Sequence, residues 1–206
     1  MAHDRYIDSL RKLASNGDVT AMWTLGDAYD SGFFFIRGKH SVEYVCRNRR
    51  LARKWLRRAA DKGCTGAMIA LASSYTNCVH RKRRSLEIAI ELEKRAWKMG
   101  EKLAANNVAI TYSMLGDSRR CYRWLEKYYS ATGDGVLLAL SLAVGYGTHV
   151  NDYRAKRILK NMIANYCFKE YDAKLQAQCL LRLLISGKIP TISIPISKTI
   201  IGSVCD

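Results

Sequence analysis

Small and apolar residues recur at every fourth position along this chain, in blocks that repeat. Gly17, Ala21, Leu25 and Tyr29 form one block; Gly63, Ala67, Leu71 and Tyr75 form a second; Gly100, Ala104, Val108 and Tyr112 form a third. A spacing of four puts the members on one face of an α-helix. Glycine at the head of each block suits a left-handed turn that ends the preceding helix. A second pattern follows: Ala52, Trp55, Ala59 and Gly63, then Ala89, Leu92, Ala96 and Gly100, at offsets of 0, 3, 7 and 11. Each repeat is therefore predicted as two helices whose alanines let the backbones approach closely. The large residue at offset 3 (Trp55, Leu92 or Trp124) is expected to fill the space between neighbouring hairpins. On that expectation, Trp55→Ala costs about 3–5 kcal/mol.

The glycines Gly17, Gly63, Gly100 and Gly133 lie 46, 37 and 33 residues apart, the period of stacked helical hairpins. One hairpin cannot bury its apolar face alone, whereas a stack can. The expected architecture is all-α: an α/α solenoid of about four to five stacked hairpins over residues 16–187. Residues 1–15, with Tyr6, Ile7, Leu10, Leu13 and Ala14 apolar, read as an N-terminal capping helix. Residues 188–206 differ in kind. Ile189, Ile192, Ile194, Ile196, Ile200 and Ile201 interleave with Ser, Thr and both prolines, Pro190 and Pro195, and read as an extended C-terminal tail. That tail either covers the open apolar end of the stack or docks on a partner. Phe33 to Arg50 reads as a long loop that opens with Phe33, Phe34, Phe35 and Ile36, to plug a local gap or to touch a partner.

The run Gly-Asp-Val-Thr-Ala-Met-Trp-Thr-Leu-Gly-Asp-Ala-Tyr-Asp-Ser-Gly (17–32), with Ala-Arg-Lys-Trp-Leu-Arg-Arg-Ala-Ala-Asp-Lys-Gly (52–63), resembles the Sel-one-like repeat (SLR), a relative of the tetratricopeptide repeats. Gly145, Gly147, Val150, Asp152, Tyr153 and Ala155 are similar to its loop signature. The resemblance covers roughly residues 17 to 166, and Asp172 to Gly187 looks like the first helix of a fifth repeat. The copies depart from the pattern in places: the second lacks the loop glycines, the third has Tyr128 for alanine, and the fourth has Tyr166 for glycine. What the resemblance implies is an adaptor, regulator or inhibitor that works by binding protein. A bacterial immunity protein that occludes a cognate toxin falls within that range.

Charge narrows the choice of partner. The 206 residues carry a formal net charge of +16. Such a balance points to an acidic protein, a nucleic acid or an anionic surface. Nineteen of the 34 Lys and Arg residues fall between the two helices of a repeat or at the start of the second, with Glu126 the only acid among them. Arg47, Arg49, Arg50, Arg53, Lys54, Arg57 and Arg58 form the first group, and Arg81, Lys82, Arg83 and Arg84 the second. Arg119, Arg120, Arg123 and Lys127 form the third, and Arg154, Lys156, Arg157 and Lys160 the fourth. Stacking is expected to align them as a basic ridge that steers an acidic partner. The predominance of Arg favours carboxylate or phosphate contacts. Cations near a helix N-terminus cost up to about 1 kcal/mol, so their repeated placement hints at use. A concave surface is the second candidate. It is expected to present Thr20, Trp23 and Asp27, then Ile69 and Ser73, then Asn106 and Ile110, with Trp23 either an exposed anchor or packed on the N-terminal helix.

The chemistry that is missing is also informative. There is no nucleophile elbow, Walker loop or HExxH stretch. His3, His40, His80 and His149 are scattered, and no paired-carboxylate site emerges, so neither metal, cofactor nor enzymatic activity is expected. Seven cysteines without a CxxC pair, and an N-terminus without an apolar signal core, place the chain in the reducing cytosol. No apolar run is long enough for stable membrane insertion. A nucleic-acid-binding helical repeat is the runner-up, with Tyr44, Tyr122 and Tyr153 available to stack bases beside the ridge.

Overall fold

In the computed structural model of the chain, the described residues are 3–36, 41–77, 83–165 and 171–187. Residues 188–206, and with them the expected tail, lie outside the described residues, as do Arg81, Lys82 and Tyr166. The fold is an all-α helical repeat in two compact units, Met1–Glu101 and Lys102–Asp206.

The first unit holds α1 (His3–Ser15), α2 (Val19–Ser31), α3 (Arg49–Asp61), α4 (Thr65–Thr76) and α5 (Arg83–Lys98). Each helix packs on the next: α1 on α2, α2 on α3, α3 on α4, α4 on α5. The second holds α6 (Leu103–Met114), α7 (Ser118–Thr132), α8 (Val136–Val144), α9 (Asp152–Asn165) and α10 (Tyr171–Ser186), with the same pairwise packing from α6 to α7 and from α8 to α10. Gly17, Gly63, Gly100 and Gly133 all take positive φ, between 79° and 100°, at the ends of α1, α3, α5 and α7. These are the turns that the recurring glycines require. The every-fourth-residue faces are buried as expected, from Ala21 and Leu25 to Ala104 and Val108.

Two local expectations are corrected. The segment after α2 is no mere loop: β1 (Phe33–Ile36) pairs antiparallel with β2 (Ser41–Tyr44), Phe33 opposite Tyr44 and Ile36 opposite Ser41. Its β-branched and aromatic residues favour that pairing. Second, Trp55, Leu92 and Trp124 are only half-buried, and the buried position is one residue further on: Leu56 at 0%, Glu93 at 4%, Leu125 at 2%, Leu159 at 0% exposed. Consecutive helix residues point about 100° apart, so offset 4 continues the face of Ala52 and Ala59 while offset 3 falls on its flank. Leu56 fits because Gly26 of α2 lacks a side chain; a Cβ there would lie 2.5 Å from the Leu56 branch carbon.

Candidate protein-interaction surface

Helix α3 carries the densest charge of the described residues. Six of its 13 residues are cations, and its one acid, Asp61, is the last residue. Asn48 caps it, its Oδ1 accepting from the backbone N–H groups of Arg50 and Leu51 at 3.1 Å each. The buried face takes Ala52, Leu56, Ala59 and Ala60. The cations form two rows at four-residue spacing, Arg49, Arg53 and Arg57, then Arg50, Lys54 and Arg58; all but Arg49, which is exposed in the first turn in line with Leu56, fall on the remaining arc.

Three of these side chains, Arg53, Arg57 and Arg58, meet uncharged groups. The Arg53 guanidinium donates to the Ser74 carbonyl of α4 at 3.0 Å and lies 4.9 Å from the centre of the Tyr75 ring. Arg57 donates to the Tyr75 hydroxyl at 3.0 Å. Arg58 stacks on the indole of Trp55 at 5.0 Å. Just before the helix, Arg47 donates from Nε to the carbonyl of Asp30, and just after it Lys62 reaches the carbonyl of Gly17 at 3.3 Å. Among the described residues, Arg49, Arg50, Lys54, Arg57 and Arg58 form no ion pair. Like charges four apart repel on a helix, here without the usual interleaved acids.

The other predicted cations sit differently. Arg83 opens α5 and pairs with Glu87 at 3.1 Å, both well exposed; Arg84 is exposed beside it. In the second unit Arg119 and Arg123 are exposed on α7, while Arg120 pairs with Asp117 at 3.4 Å and stands 5.6 Å over the Tyr112 ring. Arg154 of α9 is engaged twice: it donates to the Glu126 carboxylate at 2.9 Å and to the Tyr122 hydroxyl at 3.0 Å. Tyr122 in turn donates to Glu126. Burial, then the Glu126 carboxylate, pushes the Tyr122 hydroxyl above its usual pKa. Its ring is thus tied into α7 and α9, whereas Tyr153 and Tyr44 are 77% and 80% exposed.

On the face expected to be concave, Trp23 is 40% exposed. Its ring lies against Gly66 of α4, where an added Cβ would come within 2.9 Å of the indole. The tryptophan therefore bridges α2 and α4 while keeping one part in solvent. Asp27, one turn along α2, is exposed, yet partial desolvation, followed by the Asp30 charge, raises its carboxyl above the ordinary range. Cys121 fills the alanine position of α7, and burial pushes its thiol up to about 12. Such a group is a small apolar filler rather than a nucleophile.

No protein-family model matches the chain, and no curated protein matches it by sequence. Solved structures do match. One is a protective antigen present in uropathogenic Escherichia coli strains and displaying an SLR fold, at a TM-score of 0.64 and 21% identity over 88% of this chain and 36% of that one. Another is a Sel1 repeat protein from Oxalobacter formigenes, at a TM-score of 0.65 and 19% identity over 92% of this chain and 71% of that one. The chain has an SLR fold. It spans about a third of the length of the first neighbour. Among its described residues, no helix of this SLR fold is long and apolar enough to cross a membrane.

Proposed function

We propose that the chain is a non-enzymatic protein–protein interaction module that binds an acidic partner through the cation-covered face of α3, with Trp23 of α2 as an aromatic anchor. The observation that carries this reading is the double row of cations on α3, with Arg53, Arg57 and Arg58 held by uncharged acceptors and rings and five of the six positions without an ion pair among the described residues. Side chains already ordered lose less entropy when a carboxylate arrives. Unneutralised charge steers the encounter. An adaptor, a regulator or an inhibitor of the immunity-protein type all work through such a surface, and the SLR fold of the solved neighbours supports a binding scaffold.

The test is a paired pull-down from source-cell lysate treated with nuclease, using the chain and its Arg50→Glu/Lys54→Glu variant. The reading expects one stoichiometric acidic protein that survives nuclease and is absent from the variant's eluate. A partner retained by the variant removes α3 from the interface. An eluate that disappears with nuclease replaces the acidic protein by nucleic acid.

A further inference from the structure

We infer that the occupant of the α3 face is itself an α-helix, one that presents carboxylates every four residues; this rests on the acidic-partner reading above. The two rows, Arg49–Arg53–Arg57 and Arg50–Lys54–Arg58, repeat at a step of roughly 6 Å along the axis, four residues at 1.5 Å each. A second helix laid alongside at a shallow angle repeats its own four-residue row at the same step. Its carboxylates stay level with the cations over the whole of α3 and enter the channel between the rows, where each meets a cation from either side. A helix whose acids are spread around its circumference meets the rows once and turns away.

Three features of the face favour this occupant. The first row does not collapse across the channel, because α4 braces it: Arg53 is fixed to the Ser74 carbonyl and over Tyr75, and Arg57 to the Tyr75 hydroxyl. Beside the second row, Leu51 and Trp55 are half-buried and four apart, so an apolar strip runs parallel to the cations. Charged rows flanking an apolar seam form the pattern by which helices pair in coiled coils. Finally, the rings nearest the rows are a poor platform for bases. Tyr75 carries Arg53 over one face, and Trp55 carries Arg58. Nucleic-acid strands bound without sequence preference use open aromatic faces for stacking.

The experiment uses the full chain and fluorescent designed peptides of about 20 residues, long enough to hold a helix in water. One alanine-rich peptide carries glutamates every fourth residue; a second has the same composition with the glutamates spread around the helix. A third, interrupted by proline, alternates Glu and Ala in extended form, and a single-stranded oligonucleotide is the fourth probe. Anisotropy titrations at two salt concentrations are expected to give the first peptide an affinity about tenfold above that of the second, a step of one decade in Kd. Arg50→Glu/Lys54→Glu should abolish that preference, with the far-ultraviolet circular dichroism unchanged. Arg119→Glu/Arg123→Glu should leave it intact, which separates a property of α3 from one of net charge. Equal affinity for the first two peptides, or tighter binding of the extended one, overturns the helical occupant while the acidic-partner reading stands. Binding of the oligonucleotide alone, or of no probe, overturns both.

Discussion

Helix α3 in the first unit and the α7–α9 pair in the second carry similar formal charge but place their acids differently. On α3, Arg53, Arg57 and Arg58 rest on a carbonyl, a hydroxyl and aromatic rings, and five of the six cations meet no carboxylate among the described residues. In the α7–α9 pair, Arg154 closes a triangle with Glu126 and Tyr122, and Arg120 pairs with Asp117. Arg154 is thus a structural clamp, whereas the α3 arginines, like Arg119 and Arg123 of α7, lie on a charged surface. A count of arginines does not separate the two; the position of the nearest acid does. Glu126 stands on α7 one turn from Tyr122, whereas the acid of α3 stands at its far end.

The comparison requires that structure and binding occupy different faces of α3, and the largest expected effect tests that. Leu56 is fully buried against α2 at the Gly26 notch, so Leu56→Ala should cost about 2–5 kcal/mol in urea unfolding. Trp55→Ala, on the half-buried flank, should cost less. A larger loss at Trp55 than at Leu56 would return the tryptophan to the core.

Next in size is the contrast between arginines. Arg154→Met removes the cation from the half-buried Glu126 carboxylate, which keeps only the Tyr122 hydroxyl as donor among the described residues, and should cost about 1–2 kcal/mol. Arg57→Met on α3, an exposed residue, should change stability by less than about 0.5 kcal/mol. Equal losses in thermal unfolding would show that α3 also depends on its cations for stability and would dissolve the distinction between the units.

The helical pattern was legible to a depth that reflects simple physics. Glycines at the block heads report positive φ because other residues avoid it, and alanines report close backbones because larger side chains do not fit. Cys121, a small side chain at the alanine position, is buried on α7 for the same reason. Tyr128, a departure from the small-residue pattern, is nonetheless buried, with its hydroxyl reaching the Asp134 carboxylate at 3.0 Å. The β1–β2 pair was not legible, because four apolar residues in a row show no period that separates a strand from a buried loop. Residue size points to Trp55 as the core position, but angular position on the helix decides for Leu56. The site was legible only as a list of cations. Which of them are neutralised depends on reach between helices, as from Arg154 to Glu126, and a linear pattern does not carry that information.

A pH titration sharpens the contrast from the side of the second unit. Tyr122 has its pKa raised above the ordinary 10.0, so the folded chain holds that proton more tightly than the unfolded one. The stability it contributes is complete below the ordinary tyrosine value and is lost as pH rises through the raised one. Thermal unfolding at increasing alkalinity should therefore show a loss that Tyr122→Phe removes. A loss unaltered by Tyr122→Phe would assign the alkaline sensitivity to another group.

The smallest effect concerns the acids of the first unit. If Asp27 and Asp30 served as counter-charges to the arginines around α3, Asp27 would have its pKa depressed. It is raised instead, first by desolvation and then by Asp30, while Arg47 bonds to the Asp30 backbone carbonyl. The two carboxylates therefore repel each other, and among the described residues neither forms an ion pair with Arg49, Arg50, Lys54, Arg57 or Arg58. A carboxyl with a raised folded pKa binds its proton more tightly in the folded state, so its contribution grows as pH falls through that value. Asp27→Asn should leave the melting temperature near neutral pH unchanged or slightly higher, with the difference vanishing once carboxylates are protonated. A fall in melting temperature near neutral pH that disappears in acid would mean that Asp27 pairs with a cation after all, and the charge of the first unit would be less available than that of α3 implies.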